Sequence, residues 1–183
     1  MQQPTTNPST TSVPVWDIWV RITHWAVALG IFANLLITEA GSDIHEYVGY
    51  AVAALVVSRL IWGFVGTRYA RFTDFFPTPS RIKAHIDDLT QRRYQGHLGH
   101  NPFGALMMFA LWAVILGLGI TGYLQTTDQF WGDDTIQELH EILANSMYVL
   151  VPIHVISAIM MGRLQKQNLV RSMITGKKDV TNP

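Results

Sequence analysis

The stretch LHEILANSMYVLVPIHVISAIMM, residues 139–161, is a largely apolar run with His140 near its beginning and His154 in its interior. The two histidines are 14 residues apart. On an α-helix this spacing corresponds to about 21 Å along the axis, with the side chains within about 40° of one face. An imidazole inside an apolar span is costly unless it is paired or coordinated. This stretch therefore predicts a membrane-spanning helix with two functional histidines at two depths.

The composition is that of a small helical membrane protein. Of the 183 residues, 49% are hydrophobic and only 14% are charged, and the mean hydropathy is positive. The chain has no cysteine, which excludes disulfides, thiolate-held iron–sulfur clusters and the covalent attachment of c-type haem. A metal or haem is therefore expected on histidine or methionine. No basic stripe with interleaved aromatic residues is present, so nucleic acid is not an expected partner.

Four apolar segments are each long enough to cross a hydrocarbon core of about 30 Å. We expect these spans at about residues 20–38, 45–66, 103–124 and 139–162. They form an all-α transmembrane domain, 15–176, with a polar loop at 67–102 in which 81–91 has the spacing of a short surface helix. Residues 1–14 have the composition of a disordered N-terminal tail, and 177–183 are expected to form a C-terminal tail.

Charge placement predicts which side of the membrane each connection faces. Eleven of the 13 Lys and Arg residues lie between the second and third spans or after the fourth. The connections after the first and third spans, counted through the His-Glu pairs at 45–46 and 140–141, contain no Lys or Arg. These two connections contain eight of the 13 acidic residues. Because cytoplasmic loops are enriched in Lys and Arg, we expect a multi-pass protein of the bacterial inner (cell) membrane with both termini cytoplasmic.

The same orientation sorts four histidines into two pairs by depth. His24 of the first span and His154 of the fourth lie near the cytoplasmic face, whereas His45 of the second and His140 of the fourth lie near the outer face. Two facing imidazoles from neighbouring helices are the usual axial ligands of a six-coordinate haem. Four histidines split by about 21 Å cannot share one ion, since metal–nitrogen bonds are about 2 Å long. A hydrogen-bonded core histidine or a proton relay remains the alternative at each position.

Short motifs along the chain are similar to those of a known family. They are VRITHW at 20–25, HE at 45–46, GHNP at 99–102 followed by Gly104, TGY at 121–123, LHE at 139–141 and IH at 153–154. Over residues 15 to about 176 the chain resembles the superfamily of bacterial cytochrome b561 and nickel-hydrogenase b-type cytochromes. The resemblance implies a four-helix bundle that holds two haem b groups between helices 1, 2 and 4. The family ligands fall on the same four histidines, although the loops are shorter than those of the hydrogenase subunits.

Other polar residues could act beside these haems. Arg59 lies 14 residues after His45 and so shares its helix face at the depth of His24. There it could bind haem propionates or a quinone carbonyl, and the alternative is that it snorkels to the headgroups. For His97 and His100 the alternatives are a wet loop or proton exchange at a quinone site. We expect His85, on the polar side of the surface helix, to be solvated.

The acids that follow two of the predicted ligands have two interpretations. Glu46 and Glu141 could each accept a hydrogen bond from the far nitrogen of a ligating imidazole. Alternatively, they could simply be acidic residues near helix N-termini, where the helix dipole favours negative charge.

These observations predict a dihaem b-type cytochrome that passes electrons across the membrane between the quinone pool and a redox partner protein. The expected cofactors are two bis-histidine haem b groups, and whether the chain is itself a quinone-linked oxidoreductase stays open. Expected partners are the lipid bilayer, quinone, a periplasmic cytochrome or dehydrogenase, and a second copy of the chain in a homodimer. One alternative is a b-type anchor subunit of a periplasmic hydrogenase or other dehydrogenase. A more remote alternative is a haem-free transporter or proton channel.

Overall fold

The computed structural model describes residues 10–93 and 97–181. In chain order its elements are β1 (Thr10–Pro14), α1 (Ile18–Leu36), α2 (Asp43–Val65), a 3₁₀ turn (Arg68–Ala70), α3 (Phe72–Phe75), α4 (Pro79–Thr90), α5 (Pro102–Gln125), α6 (Asp134–Leu164), α7 (Leu169–Thr175) and β2 (Lys177–Thr181). The helices α1, α2, α5 and α6 are each long and apolar enough to cross a membrane. The prediction of a mainly helical fold with four spans is therefore confirmed.

A capping side chain fixes the first turn of each long helix. The side chains of Asp17, Ser42, Asn101 and Asp133 accept hydrogen bonds from backbone N–H groups at the starts of α1, α2, α5 and α6. The cap at Asp133 begins α6 five residues before the predicted span, because polar residues continue the helix beyond its apolar part. Within α6, Pro152 removes one backbone hydrogen bond just before His154.

The four long helices pack in sequence around a narrow apolar core. Helix α1 packs against α2, α2 against α5, and α5 against α6, whereas α1 and α6 approach each other closely at only a few points. Val52, Val56, Ile115 and Met147 form the buried centre of the bundle. The outer faces are apolar and open, with Phe64 75% exposed. Such a surface is unfavourable in water and suits lipid, so the chain is a multi-pass membrane protein.

Both described ends of the chain lie at one end of the bundle, which we call the terminal end. There β1 pairs antiparallel with β2, from Thr10↔Thr181 to Pro14↔Lys177. For residues 10–14 and 177–181 the expectation of tails is therefore wrong, because each strand satisfies the backbone hydrogen bonds of the other. The remainder of the predicted tails, 1–9 and 182–183, lies outside the described residues. The opposite end, which we call the distal end, contains the connections 37–42 and 126–133.

The surface helix predicted at 81–91 is present as α4, but the solvent exposure predicted for His85 is wrong. His85, expected to be solvated, is only 4% exposed. Its ring lies 5.3 Å from the ring of His97 and 5.2 Å from that of Phe103, measured between centroids. The correction follows from tertiary packing, because α4 lies against α5 with the His85 face inward, while Ile86 is 43% exposed.

Candidate functional site

The bundle brings the four predicted histidines together as two facing pairs. His24 of α1 and His154 of α6 have ring centroids 6.3 Å apart, and we call them the terminal pair. His45 of α2 and His140 of α6 have centroids 6.4 Å apart, and we call them the distal pair. This is the pairing that depth matching predicts, and the 14-residue spacing along α6 separates the two levels by about 21 Å.

These ring separations suit one iron atom between each pair. A metal–imidazole nitrogen bond is about 2 Å long. In a five-membered ring with bonds of about 1.33 Å, each nitrogen lies about 1.1 Å from the centroid. Two imidazoles on opposite sides of one iron therefore have centroids about 6.3 Å apart. The observed values of 6.3 Å and 6.4 Å agree with this separation.

The donor set also points to a macrocycle rather than a bare metal ion. Within residues 10–93 and 97–181, no group of three or more His, Cys, Asp or Glu side chains is placed to hold a metal. A structural zinc site needs four such ligands. In a haem the porphyrin supplies four nitrogens, and the protein needs to add only two axial ligands. Paired imidazoles are thus sufficient for haem and insufficient for a structural zinc site.

A threonine fixes the tautomer of His140 in the distal pair. The Thr121 Oγ1 atom lies 2.8 Å from His140 Nδ1 and donates its own proton to the carbonyl of Gly117, at 2.8 Å. A hydroxyl has a single proton, so Thr121 accepts from Nδ1–H of the imidazole. Because Nδ1 carries the proton, Nε2 keeps its lone pair for a metal.

The same arrangement holds His45, the other member of the distal pair. Thr38 Oγ1 lies 3.1 Å from His45 Nδ1 and donates to Asn34 Oδ1 at 3.2 Å. Asn34 uses its amide nitrogen to donate to the His45 carbonyl at 2.9 Å, which orients its oxygen toward Thr38. His45 therefore also donates through Nδ1 and leaves Nε2 available. The sequence analysis did not identify Asn34 and Thr38 as residues that orient His45. Thr121 lies in the TGY motif, but its contact with His140 was not predicted either.

Glu46 and Glu141, suggested as hydrogen-bond acceptors for the imidazoles, have other partners in the structure. Glu46 accepts a hydrogen bond from the Tyr50 hydroxyl at 2.8 Å. Glu141 accepts one from the side-chain amide of Gln137 at 3.2 Å. Each of these bonds joins residues four apart on one helix, so the carboxylates lie along the helix surface. The hypothesis that these acids hold the imidazoles is wrong, because the threonine hydroxyls occupy that position.

The terminal pair has aromatic and cationic surroundings. His24 Nδ1 is buried and has no hydrogen-bond partner among the described residues. Nearby, His100 lies between Trp16 and Phe75, with centroid distances of 4.6 Å and 4.7 Å. Burial, reinforced by the positive charges of Arg59 and Lys178, lowers the pKa of His100 to about 3, so this imidazole is neutral. The wet-loop interpretation of His100 is therefore wrong.

Arg59 is buried at the terminal end and does not snorkel to the headgroups. Arg59 is only 5% exposed, and its Nη2 atom donates a hydrogen bond to the Ala70 carbonyl at 3.2 Å. The guanidinium carbon lies 5.5 Å from the Trp112 ring centroid. Its Nη1 atom is buried without a partner in the described part of the chain. A buried guanidinium with an unused donor is suited to an anionic group.

Two other charged residues complete the terminal end. Asp17 Oδ2 accepts from Thr67 Oγ1 at 2.6 Å and from Trp62 Nε1 at 2.9 Å. Burial raises the pKa of Asp17, but these hydrogen bonds and the Val20 N–H outweigh it, so the net shift is downward and the carboxylate is ionised.

The second of these residues is Lys178 in β2, which sequence reasoning had placed in a tail. Lys178 is 6% exposed, and its Nζ atom donates to the carbonyls of His97 at 2.8 Å and Gly99 at 3.1 Å. It also lies 5.4 Å from the Trp16 ring centroid. Burial lowers the pKa of Lys178 to about 8. The terminal end thus holds two buried cations.

The chain is similar in sequence to known b-type cytochromes. The chain belongs to the prokaryotic cytochrome b561 family, whose model matches residues 15–176. A probable Ni/Fe-hydrogenase B-type cytochrome subunit of Azotobacter vinelandii is 24% identical over 213 aligned positions, which cover 91% of this chain and 88% of the relative. The corresponding subunit of Rhodobacter capsulatus is 23% identical, with 92% and 82% covered. No solved structure matched the chain at a significant level. Membership of a b-type cytochrome family implies haem b as the cofactor, which fits the imidazole pairs.

Proposed function

We propose that this protein is the membrane-embedded b-type cytochrome subunit of a redox enzyme, and that it carries electrons across the bilayer through two haem b groups. The observation that supports this most directly is the ring separation of 6.3 Å and 6.4 Å in two pairs at two depths. Haem supplies reversible one-electron chemistry when bound, and the protein supplies ligation, orientation and electrostatics.

Each pair would bind one haem through its two Nε2 atoms. His24 and His154 would hold the haem at the terminal end, and His45 and His140 the haem at the distal end. The threonine hydroxyls keep the distal imidazoles in the tautomer that can coordinate iron. Arg59, whose Nη1 atom is unused, would pair with a haem propionate at the terminal end.

The charge pattern supports an orientation for this pathway. Eleven of the 13 Lys and Arg residues lie at 68–93 or at 163–178, on the side of the terminal end. From the positive-inside rule we expect the terminal end to face the cytoplasm of a bacterium and the distal end to face the outer side of its inner membrane. The distal haem would then face a periplasmic redox partner, and quinone would be the membrane-soluble partner.

The relatives favour a hydrogenase or a similar enzyme as the partner, because they are named as probable Ni/Fe-hydrogenase B-type cytochrome subunits. One observation favours a second candidate, a free-standing oxidoreductase between quinone and a periplasmic cytochrome. The alignments span 213 to 218 positions, which exceeds the 183 residues of this chain, so the relatives contain segments that it lacks. Co-purification with a large redox subunit in mild detergent would favour the first candidate. A haem-containing monomer or homodimer would favour the second.

The proposal is tested by counting haems in the detergent-purified protein. A reduced-minus-oxidised visible spectrum and pyridine haemochrome quantification should give about two haem b groups per chain. His24→Ala and His140→Ala should each retain about one, because each removes one axial ligand. His85→Gln, which alters a buried histidine outside both pairs, should retain two.

Two outcomes would contradict the proposal. One is a folded protein without a haem spectrum, which would favour the haem-free transporter or proton channel. The other is a His24 or His140 variant that keeps both haems.

A further inference from the structure

We propose that the terminal end binds one anionic glycerophospholipid, with its phosphate in a basic cavity beside α7 and an acyl chain along the last turns of α6. The proposal needs the membrane-spanning fold described above and is independent of the haem groups. It concerns two cavities, one polar and one apolar, whose lining includes none of the four paired histidines.

The polar cavity, which we call the basic cavity, lies among the α6–α7 turn, α7 and the β1–β2 pair. Its volume is about 440 Å³. Three exposed cations line it, Lys166, Arg171 and Lys177. Lys178 also lines it, but the Lys178 ammonium is already bound by two backbone carbonyls. Among the described residues of the lining, Asp179 is the one acid.

The three exposed cations of the basic cavity are not neutralised by neighbouring carboxylates. The ion pairs found in the described residues are Arg68–Asp74 and Arg93–Asp88, and neither includes a residue of the cavity. Three exposed cations against one carboxylate give the cavity a net positive charge. Phosphate is the anionic group that clusters of Lys and Arg bind at a membrane surface.

Lys166 has a backbone conformation that favours glycine. Its φ angle is 52°, in the left-handed region, and it directly follows Gln165, the C-cap of α6. Glycine is the usual residue after a helix C-cap, because a Cβ atom is strained in this conformation. A lysine is therefore held here at a conformational cost. Such strain is typical of residues that contact a ligand, and it supports a binding role for the Lys166 ammonium.

Helix α7 indicates that the basic cavity lies at the depth of the lipid headgroups. Arg171 lines the cavity, whereas Val170 and Ile174 of the same helix are 42% and 57% exposed. A helix with one polar and one exposed apolar side is typical of the membrane surface. Trp25 Nε1 donates to the Met173 carbonyl at 3.2 Å, and tryptophan is enriched at this depth. The phosphate nearest to the cavity is therefore that of a phospholipid.

An apolar groove follows the last turns of α6 toward the turn that lines the basic cavity. Its volume is about 420 Å³, and its lining residues are Ile156, Ile159, Met160, Arg163 and Leu164. Residues three and four apart share one helix face, so these side chains form a strip about 12 Å long. The four apolar side chains are 37% to 63% exposed. The strip suits an acyl chain, and Arg163 extends the positive charge of the cavity to its end.

The two cavities together match one amphipathic, negatively charged molecule. An anionic glycerophospholipid has a phosphate for the basic cavity and an acyl chain for the groove. Soluble phosphate would leave the groove uncovered. A zwitterionic phospholipid would place its own ammonium group near the three cations, which is unfavourable. Anionic lipids are accordingly the class that this end of the bundle should select.

The first test compares lipids on the wild-type protein. Purified full-length protein in mild detergent is titrated with phosphatidylglycerol or with phosphatidylethanolamine of the same acyl chains, and bound lipid is counted by native mass spectrometry. We expect one phosphatidylglycerol per chain, bound about tenfold more tightly than phosphatidylethanolamine. Inorganic phosphate and glycerol phosphate, in excess, should not displace it. Equal binding of the two lipids, or displacement by either soluble phosphate, would overturn the proposal.

The second test removes single charges from the basic cavity. Lys166→Gly removes a cation and also relieves the left-handed backbone, so it should weaken phosphatidylglycerol binding roughly fivefold without lowering the unfolding midpoint in lipid-free detergent. Lys177→Gln should weaken binding by a similar factor, and the double variant roughly 25-fold.

Lys83→Gln is the matched control for these variants. Lys83 is an exposed lysine of α4 at the same end of the bundle, and it lines neither cavity. It should leave phosphatidylglycerol binding unchanged. Equal weakening in Lys83→Gln and the cavity variants would mean that the whole basic end attracts anionic lipid, and the proposed site would be wrong. The comparison of lipids on wild type decides the proposal even if a variant fails to fold.

Discussion

The terminal and distal pairs have almost the same ring separation but are held by different means. Hydroxyl groups fix the distal imidazoles, with Thr38 and Thr121 each accepting a proton from Nδ1. His24 in the terminal pair has no such partner within the described residues, and aromatic rings and buried cations surround that end instead. Helix packing therefore sets the spacing of the imidazoles in both pairs, whereas the groups around each pair differ between the two ends.

The two ends of the bundle differ in architecture as well. Among the described residues, the distal end consists of the connections 37–42 and 126–133 and the helix ends that they join. The terminal end is covered by α3, α4, α7 and the β1–β2 pair. Lys178 belongs to β2, one of these covering segments, which explains why this buried cation can lie outside the spans. Changes at one end should therefore leave the other end largely unaffected.

The largest effect is expected when the distal hydroxyl support is removed. Thr121→Val keeps the side-chain shape but removes the acceptor for His140 Nδ1, so the imidazole loses its fixed tautomer. Loss of such a supporting hydrogen bond typically weakens cofactor binding about 10- to 100-fold. We expect faster transfer of one haem per chain to an excess of a haem-scavenging protein, and the remaining haem should stay bound as in wild type.

Thr23→Val is the matched control for this change. Thr23 is buried next to His24, but its hydroxyl donates to the Trp19 and Val20 carbonyls of its own helix. Its replacement should leave both haems bound with wild-type kinetics. If Thr121→Val released both haems equally, or neither, the difference between the two ends would not hold.

A second prediction concerns packing at the terminal end. Gly63 in α2 leaves room for the ring of Phe72 in α3, and a Cβ atom there would overlap that ring. Gly63→Ala should reduce the free energy of unfolding by about 1–3 kcal/mol, the usual cost of overpacking. The measurement is the midpoint of unfolding in mixed detergent–SDS micelles. Gly49→Ala, where the nearest contact is Asn34 Nδ2 at 3.6 Å, should be neutral or slightly stabilising. An equal loss in both variants would contradict the packing argument.

The spans and the histidine pairing could be predicted because both depend on local patterns. Hydropathy over about 20 residues identifies each span, and helical geometry fixes the relative depth of His140 and His154. Depth matching then needs only the order of the helices. The boundaries were less accurate, because the Asp133 cap extends α6 through polar residues that a hydropathy argument excludes.

The features that were missed depend on contacts between residues far apart in the sequence. Thr38, just after α1, and Thr121, within α5, contact imidazoles of other helices, and a threonine in or beside an apolar segment has no distinctive local signal. The β1–β2 pair joins residues 10–14 to 177–181, and neither segment has a hydrophobic pattern of its own. His85 is buried by the packing of α4 against α5. Each of these required the tertiary structure.

The smallest predicted effect is a pH dependence that belongs to the terminal end alone. The pKa of Lys178 is about 8 in the folded protein and 10.5 in its ordinary state. Between these values the unfolded chain binds a proton that the folded chain does not, so stability due to this group increases as the pH rises. From pH 7 to pH 9 the free energy of unfolding of wild type should rise by about 1 kcal/mol relative to Lys178→Met.

The same difference between pH 7 and pH 9 should be absent when wild type is compared with Lys177→Met, because that lysine is exposed. Asp17 and His100 do not contribute in this window, since the pKa of each is lowered and His100 titrates near 3. A falling rather than rising difference would mean that Lys178 is stabilised as a cation in the folded protein. The Lys178 ammonium would then have an anionic partner at the terminal end.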